Sequence, residues 1–343
     1  NRASAPTQKI RVAIMSTEMK MQKKSVSEWV KSGDPWVWLN AGAVAISVIM
    51  VVGLLLLIAV RGLGHFWPAD VVESHYALPG ESEYNIVAER VESVEVPAAQ
   101  LREAGIDIPD QHQLMQRTLM KTGNRDVYGS DFRWVIDEYL TKTQRPEMLF
   151  TAERREWGNL YGYLKAVKED GKVASQTNDL MPTESAMATW NTFEKSIERV
   201  ERIHGDINDI EKGDIGKINY ALERIRLTQR RLELEGKLTP AAEADLAVER
   251  GQYDEEYKGL QQSLIDLYAQ INRDTFVVQV MDGTEHEMPV AKIVHAYRAN
   301  SMNVGQKMSF YFTKLWEFLS DEPREANTEG GVFPAIFGTV MMV

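Results

Sequence analysis

The sequence predicts a membrane protein with an N-terminal transmembrane helix, an α+β extracytoplasmic domain that carries a long antiparallel coiled-coil hairpin, and the start of a second transmembrane helix. Three observations predict this fold class. Residues 37–60 contain no charged side chain, residues 184–272 repeat apolar side chains at steps of three and four, and the last twelve residues are uncharged and mostly apolar. The predicted parts are a tail (1–36), the first span (37–60), a mixed α/β segment (61–183), the helical hairpin (184–272), a β-hairpin with an amphipathic helix (273–329) and the start of a second span (330–343).

The composition limits the classes of function. The chain has 343 residues, a net charge of −11 and no cysteine. Without cysteine it has no disulfide, no thiolate nucleophile and no cysteine-based zinc site. The acidic balance argues against general binding of nucleic acid. The length fits one or two domains with a substantial core.

The first span is predicted from length and flanking residues. As a helix, residues 37–60 would be roughly 36 Å long, enough to cross a hydrocarbon core of about 30 Å. Trp36 and Trp38 at one end, and Phe66 and Trp67 at the other, occupy positions where interfacial aromatic side chains are typical.

Charge predicts the orientation of this span. Residues 1–36 carry seven Lys or Arg and three acidic residues, whereas residues 61–343 have a net charge of −15. The positive-inside rule therefore places the N-terminus in the cytoplasm. A cleaved signal peptide is the competing interpretation, but its apolar region would be shorter and followed by small residues at a cleavage site. The residues after Val60 show no such site.

The C-terminal run predicts the beginning of a second span. Gly330-Gly331 precedes Val332–Val343, in which Pro334 suits the first turn of a helix. A buried C-terminal segment is the alternative. Because the chain begins at Asn1 and ends inside this run, we expect it to be a fragment. Residues 61–329 would then lie outside the cytoplasm, in the periplasm of a Gram-negative cell.

Local patterns predict the elements of the mixed segment. Tyr84–Val91 and Val94–Val96 are typical of strands, and Arg125–Gly129 is typical of a turn. Asp131 is expected to cap a short helix that carries Trp134, Ile136 and Leu140. Trp157, Tyr161 and Tyr163 alternate in a predicted strand that ends at the turn 168–171.

Two amphipathic helices are predicted next. The first apolar series is disturbed near Gly213 and Gly216, and it is Trp190, Phe193, Ile197, Val200, Ile203, Ile207, Ile210, Ile218, Leu222, Ile225 and Leu232. Thr239 and Pro240 supply an N-cap and a first-turn proline for the second helix. Its series is Leu246, Arg250, Tyr253, Tyr257, Leu260, Leu264, Leu267 and Ile271. The spacing favours a protruding coiled-coil arm, and two ordinary helices on a globular core are the alternative.

A strand–turn–strand unit and one further helix complete the domain. Asp282-Gly283 predicts a tight turn between strands at 275–281 and 285–290. The helix face formed by Met308, Tyr311, Phe312, Leu315, Trp316 and Leu319 fits a bilayer surface and core packing equally well.

The sequence offers no catalytic site. No glycine-rich phosphate loop is followed by Lys-Ser or Lys-Thr, so we expect no ATPase activity, no cofactor and no enzyme in this chain. The six histidines are scattered, and His286 between two glutamates is expected on a solvated hairpin face rather than at a metal. The run Glu153–Glu156 has the residue types of an anion site, but surface ion pairs are the favoured interpretation.

Two patches resemble a known family. Residues 59–62, with the sequence Ala-Val-Arg-Gly, and residues 327–339, which begin Asn-Thr-Glu-Gly-Gly, resemble the PstA permease family of phosphate-specific ABC transporters. In short members a brief loop separates these patches, whereas here about 250 residues intervene. Residues 321–326 also resemble the long form of the family, which has an extra N-terminal region.

The resemblance implies an inner-membrane permease. It implies four kinds of partner: a second permease subunit, a dimer of ATP-binding subunits, a periplasmic phosphate-binding protein and membrane lipid. The family residues for phosphate passage and ATPase coupling would follow Val343, so no substrate-binding residue is assigned. The role of the extra domain is not implied by the family.

A single-span coiled-coil adaptor or sensor is the second hypothesis. Such a protein would continue in soluble sequence, whereas the apolar terminus and residues 327–331 favour the permease. In the permease hypothesis, we expect the arm to contact the binding protein or envelope material. Deletion of residues 190–271 without effect on phosphate uptake would contradict that expectation.

Overall fold

A computed structural model describes residues 26–109, 112–320 and 331–342 of the chain. The chain divides into two compact units, residues 1–65 and residues 66–343. Most of the predicted tail, residues 327–330 of the second patch and Val343 lie outside the described residues.

Residues 26–65, the described part of the first unit, contain the helices α1 (Val26–Lys31) and α2 (Asp34–Gly64). Gly33 joins them with a φ of 80°, in the left-handed region that favours glycine, and Pro35 lies in the first turn of α2. The helix is longer than the predicted 37–60 because it continues through Asp34 at one end and through Arg61–Gly64 at the other. Among the described residues, α2 is the helix that is long and apolar enough to cross a membrane, with a mean hydropathy of 3.1 in its most apolar window. This length and composition suggest membrane association.

The second unit is a mixed α/β domain with two antiparallel sheets. The first sheet has the order β4-β3-β2-β1-β5, with strands β1 (Val71–Tyr76), β2 (Tyr84–Pro97), β3 (Leu114–Lys121), β4 (Phe132–Ile136) and β5 (Leu140–Gln144). Its buried face packs against the short helix α3 (Ala98–Glu103) through side chains that include Leu101, Met115 and Ile136. Another short helix, α4 (Arg125–Tyr128), occupies the predicted turn before Gly129.

The predicted helix after Asp131 is wrong. Residues Phe132–Ile136 form β4, which pairs with Arg117–Lys121 of β3, and a 3-10 turn then leads into β5. Pairing with β3 satisfies the backbone of this segment and buries Val135 and Ile136, so tertiary contacts override the local helix signal.

The second sheet has the order β10-β9-β7-β6-β11, with β8 paired to β7. Its strands are β6 (Leu149–Arg154), β7 (Asn159–Glu169), β8 (Lys172–Gln176), β9 (Asp274–Gln279), β10 (Glu285–Pro289) and β11 (Ile293–Tyr297). Two predicted turns are confirmed. Asp170 and Gly171 both have positive φ between β7 and β8, and Asp282-Gly283 joins β9 to β10.

The helical region consists of α5 (Glu184–Asn208), a π-helical segment (Asp209–Asp214), α6 (Ile215–Leu234) and α7 (Pro240–Ile271). The π-helical turn contains Gly213, where the apolar series is disturbed. The Thr239 hydroxyl accepts from the N–H of Ala242 at 3.2 Å, which confirms the predicted cap. On α7 the predicted positions are half-buried, except Ile271, which is buried, and Arg250, which is exposed. The coiled-coil seam itself stays a prediction.

The largest core cluster lies where α5 covers the second sheet. Trp190 and Phe193 of α5 pack with Phe150 of β6 and Phe276 of β9, with ring centroids 4.8 to 5.9 Å apart. Because α5 supplies part of the core, deleting residues 190–271 would remove more than an arm.

The chain continues through α8 (Val304–Ser320) to α9 (Phe333–Met341), with Pro334 in the first turn of α9 as predicted.

Candidate membrane-facing site

Helix α8 carries both charged and aromatic side chains. It contacts the second sheet, Phe66 and Val332. One of its faces rests on the second sheet through ion pairs that are largely shielded from solvent. Lys314 donates to Glu153 of β6 at 2.5 Å and lies 3.1 Å from Glu317 one turn later. His295 of β11 lies 3.1 Å from the same Glu317 carboxylate. We call these four side chains the α8 latch.

The latch corrects the prediction for residues 153–156. Glu153 and Arg154 are each only 4% exposed and are not surface ion pairs. Arg154 donates to the carbonyls of Trp157 and Gly158 at 2.8 and 3.0 Å and pairs with Asp126 at 2.9 Å. These two charged groups are therefore held by partners within the fold, as buried charges require.

The other side chains of the latch change the pKa of Glu317. Burial would raise this pKa, but hydrogen bonding to His295 and the positive charge of Lys314 outweigh burial and lower it to about 2. Glu317 is therefore a carboxylate at neutral pH, held between a lysine and a histidine.

We expect the stability of the domain to fall in acid because of Glu317. The unfolded-state pKa is near 4.5 and the folded-state pKa is about 2, so the contribution is complete above pH 4.5 and is lost as the pH falls towards 2. The loss is on the order of 2–3 kcal/mol. Urea unfolding at a series of pH values measures it. Glu317→Gln removes this part of the pH dependence, whereas Glu285→Gln, at an exposed carboxylate, keeps it; identical pH profiles for the two variants would contradict the assignment.

A second ion-pair group fixes the start of α8. Lys307 pairs with Asp70, which precedes β1, and Arg145 pairs with the other oxygen of the same carboxylate at 3.1 Å. Asn300 adds hydrogen bonds to the backbone N–H and C=O of Val71 at 3.0 and 2.8 Å. Helix α8 and the turn before it are thus held beside the start of β1 as well as against the second sheet.

Phe66 and Val332 both contact α8. The ring of Phe66, the first residue of the unit, lies 5.0 Å from the ring of Phe318 and 6.4 Å from that of Tyr311. The carbonyl of Phe318 accepts from the N–H of Val332, which precedes α9, at 2.9 Å. Phe318 therefore contacts both the segment that enters the domain from α2 and the segment that leaves it for α9.

The predicted aromatic stripe of α8 is divided between two environments. Tyr311 and Leu315 are half-buried, but Met308, Phe312, Trp316 and Leu319 are exposed. Packing of the whole stripe in the core, one of the two interpretations left open by the sequence, is therefore wrong.

The histidines predicted to be scattered lie apart. His286 contacts the Thr284 hydroxyl at 3.0 Å, while its neighbour Glu287 pairs with Lys168 at 2.5 Å. His204 lies 3.3 Å from the carbonyl of Ala291, and burial lowers its pKa. In the part of the chain that the structure describes, no three His, Asp or Glu side chains are grouped to hold a metal ion.

The sequence did not single out Lys307, Lys314 or Glu317. One signal was available: the two lysines are seven residues apart, on the side of α8 away from Met308, Phe312 and Trp316.

No family model, curated protein or solved structure matches the chain.

Proposed function

We propose that the chain is the N-terminal part of an inner-membrane permease subunit of a phosphate ABC importer. A partner subunit hydrolyses ATP, and a periplasmic phosphate-binding protein delivers the substrate to this subunit and a second permease. The N-terminus is cytoplasmic, and residues 61–329 form a periplasmic domain between two membrane spans. The resemblance of residues 59–62 and 327–339 to such permeases names the substrate.

The observation that carries this proposal is the meeting of Phe66 and Val332 at Phe318. A domain placed between two neighbouring transmembrane helices must return its chain close to where it began. A single-span adaptor has no such requirement, because its C-terminal end is free to lie anywhere. The exposed apolar side chains of α9, which include Phe337 and Val340, also suit a segment that continues into a membrane.

Phosphate uptake tests the proposal. A strain that lacks the complete gene should lose ATP-dependent uptake of radiolabelled phosphate at limiting concentration and regain it when the gene is supplied. The complete product should also co-purify with a second permease and an ATP-binding subunit. Unchanged uptake together with no such co-purification would contradict the permease and leave the adaptor.

The helical arm is proposed to contact the binding protein or envelope material. Tyr220, Leu227 and Leu234 recur at seven-residue steps on α6 and are more than half exposed, which suits an unfilled coiled-coil seam. Replacing residues 219–257 by a short Gly/Ser turn shortens the arm and spares the core side chains of α5. We expect this variant to fold and to take up phosphate poorly only when phosphate is scarce; normal uptake at low phosphate would contradict a role of the arm in delivery.

A further inference from the structure

The face of α8 that points away from the sheets carries a continuous row of exposed apolar side chains. This row, which we call the α8 stripe, is Val304, Met308, Phe312, Trp316 and Leu319, with exposed fractions of 72, 42, 58, 71 and 42%. Steps of three and four residues place all five on one side of the helix. No charged residue interrupts the stripe.

Contacts on the opposite side of α8 fix the orientation in which the stripe is exposed. The opposite side of α8 is held by the latch through Lys314 and Glu317, by Lys307 on Asp70, and by the ring of Phe310 against Tyr297 at 4.4 Å. Turning the helix to bury the stripe would break these ion pairs and expose Phe310. The stripe is therefore a fixed surface that the described residues of the domain leave exposed.

The neighbouring chain segments indicate what covers it. Helix α8 contacts Phe66 and Trp67, which follow the apolar helix α2 after His65, and Phe318 hydrogen-bonds to the residue before α9. Both segments proposed to cross the membrane thus join the domain at α8. An amphipathic helix beside such segments binds the interface between headgroups and acyl chains, where Trp and Phe are favourable.

We propose that α8 lies on the lipid bilayer, with the α8 stripe inserted at the level of the headgroups and upper acyl chains. This inference rests on the membrane anchorage in the proposed function. The ion pairs of the latch hold α8 to β6 and β11. The second sheet is therefore held at a fixed position relative to the helix that lies on the membrane surface.

Site-directed spin labelling of the full chain in phosphatidylethanolamine–phosphatidylglycerol vesicles tests the proposal. The absence of native cysteine allows single-cysteine variants without background labelling. Phe312→Cys and Trp316→Cys report on the stripe, and Thr313→Cys, at an exposed polar position outside the stripe, is the matched control. Val52→Cys in α2 reports separately on membrane anchorage.

We expect the ratio of collision with oxygen to collision with a water-soluble nickel chelate to be several-fold higher at 312 and 316 than at 313, and highest at 52. Equal ratios at 312, 316 and 313, with a high ratio at 52, would overturn the proposal for α8 while the anchored protein stands. Labels at 312 and 316 shielded from both reagents would indicate a protein partner and also overturn it. A low ratio at 52 would overturn the anchorage.

Discussion

Lys314→Met is expected to destabilise the domain by about 3–5 kcal/mol, because it removes the cation that lies between one buried and one partly buried carboxylate. The Glu153 side chain is 5% exposed and Glu317 is 22% exposed, and Lys314 pairs with both. Without the lysine, both carboxylates lose a positive charge that offsets the cost of removing them from water. Urea unfolding followed by circular dichroism measures the loss.

A matched lysine on the same helix provides the control. Lys307→Met leaves Arg145 to pair with Asp70 at 3.1 Å, so we expect a loss of about 1 kcal/mol or less. Adding Glu153→Gln and Glu317→Gln to Lys314→Met should recover part of the stability, since the negative charges that the lysine offset are then removed as well. Equal losses for the two single lysine variants would show that the latch does not depend on desolvated charge.

Phe193→Ala is expected to cost about 3–5 kcal/mol through the cavity that it leaves. Phe193 is fully buried between Phe150, Trp190 and Phe276, where α5 crosses the second sheet. Phe150 and Phe276 are held by separate strands and Trp190 by α5 itself, so these neighbours close only part of the space. The free energy of unfolding measures the effect, with Phe132→Ala, at a 47% exposed position on β4, as the control.

Conservative repacking separates a cavity from a general loss of fold. Phe193→Leu keeps most of the volume and is expected to cost about half as much as the alanine variant. If Phe193→Ala and Phe132→Ala lose the same amount, α5 does not belong to the folding core, and the assignment of this cluster is wrong.

The sequence predicts the elements of this fold where the signal is local. Thr239-Pro240 caps α7 and Asp282-Gly283 turns a hairpin because the residues that decide the backbone conformation lie within a few positions of each other. The helix predicted after Asp131 is wrong because Phe132–Ile136 forms a strand by pairing with β3. The local sequence pattern contains no information on that pairing.

The candidate site was hidden from the sequence for the same reason. Glu153 stands in a run of charges that is typical of a surface, and its partner Lys314 is 161 positions away. The residues next to Glu153 and those next to Lys314 do not indicate that the two side chains pair. The exposed stripe of α8 was readable as a periodicity, but its exposure follows only from the ion pairs on the other side of the helix.

Phe66 and Val332 both contact Phe318, which lowers the entropy cost of bringing the chain segments on either side of the domain together. The entropy cost of bringing two segments together grows with the length of flexible chain between them. Once the domain has folded, residues 67–331 no longer count towards that length, since packing at Phe318 holds their ends together. For the segments on either side, the domain then acts as a short tether, so that insertion or removal of such a cassette changes the loop closure between them very little.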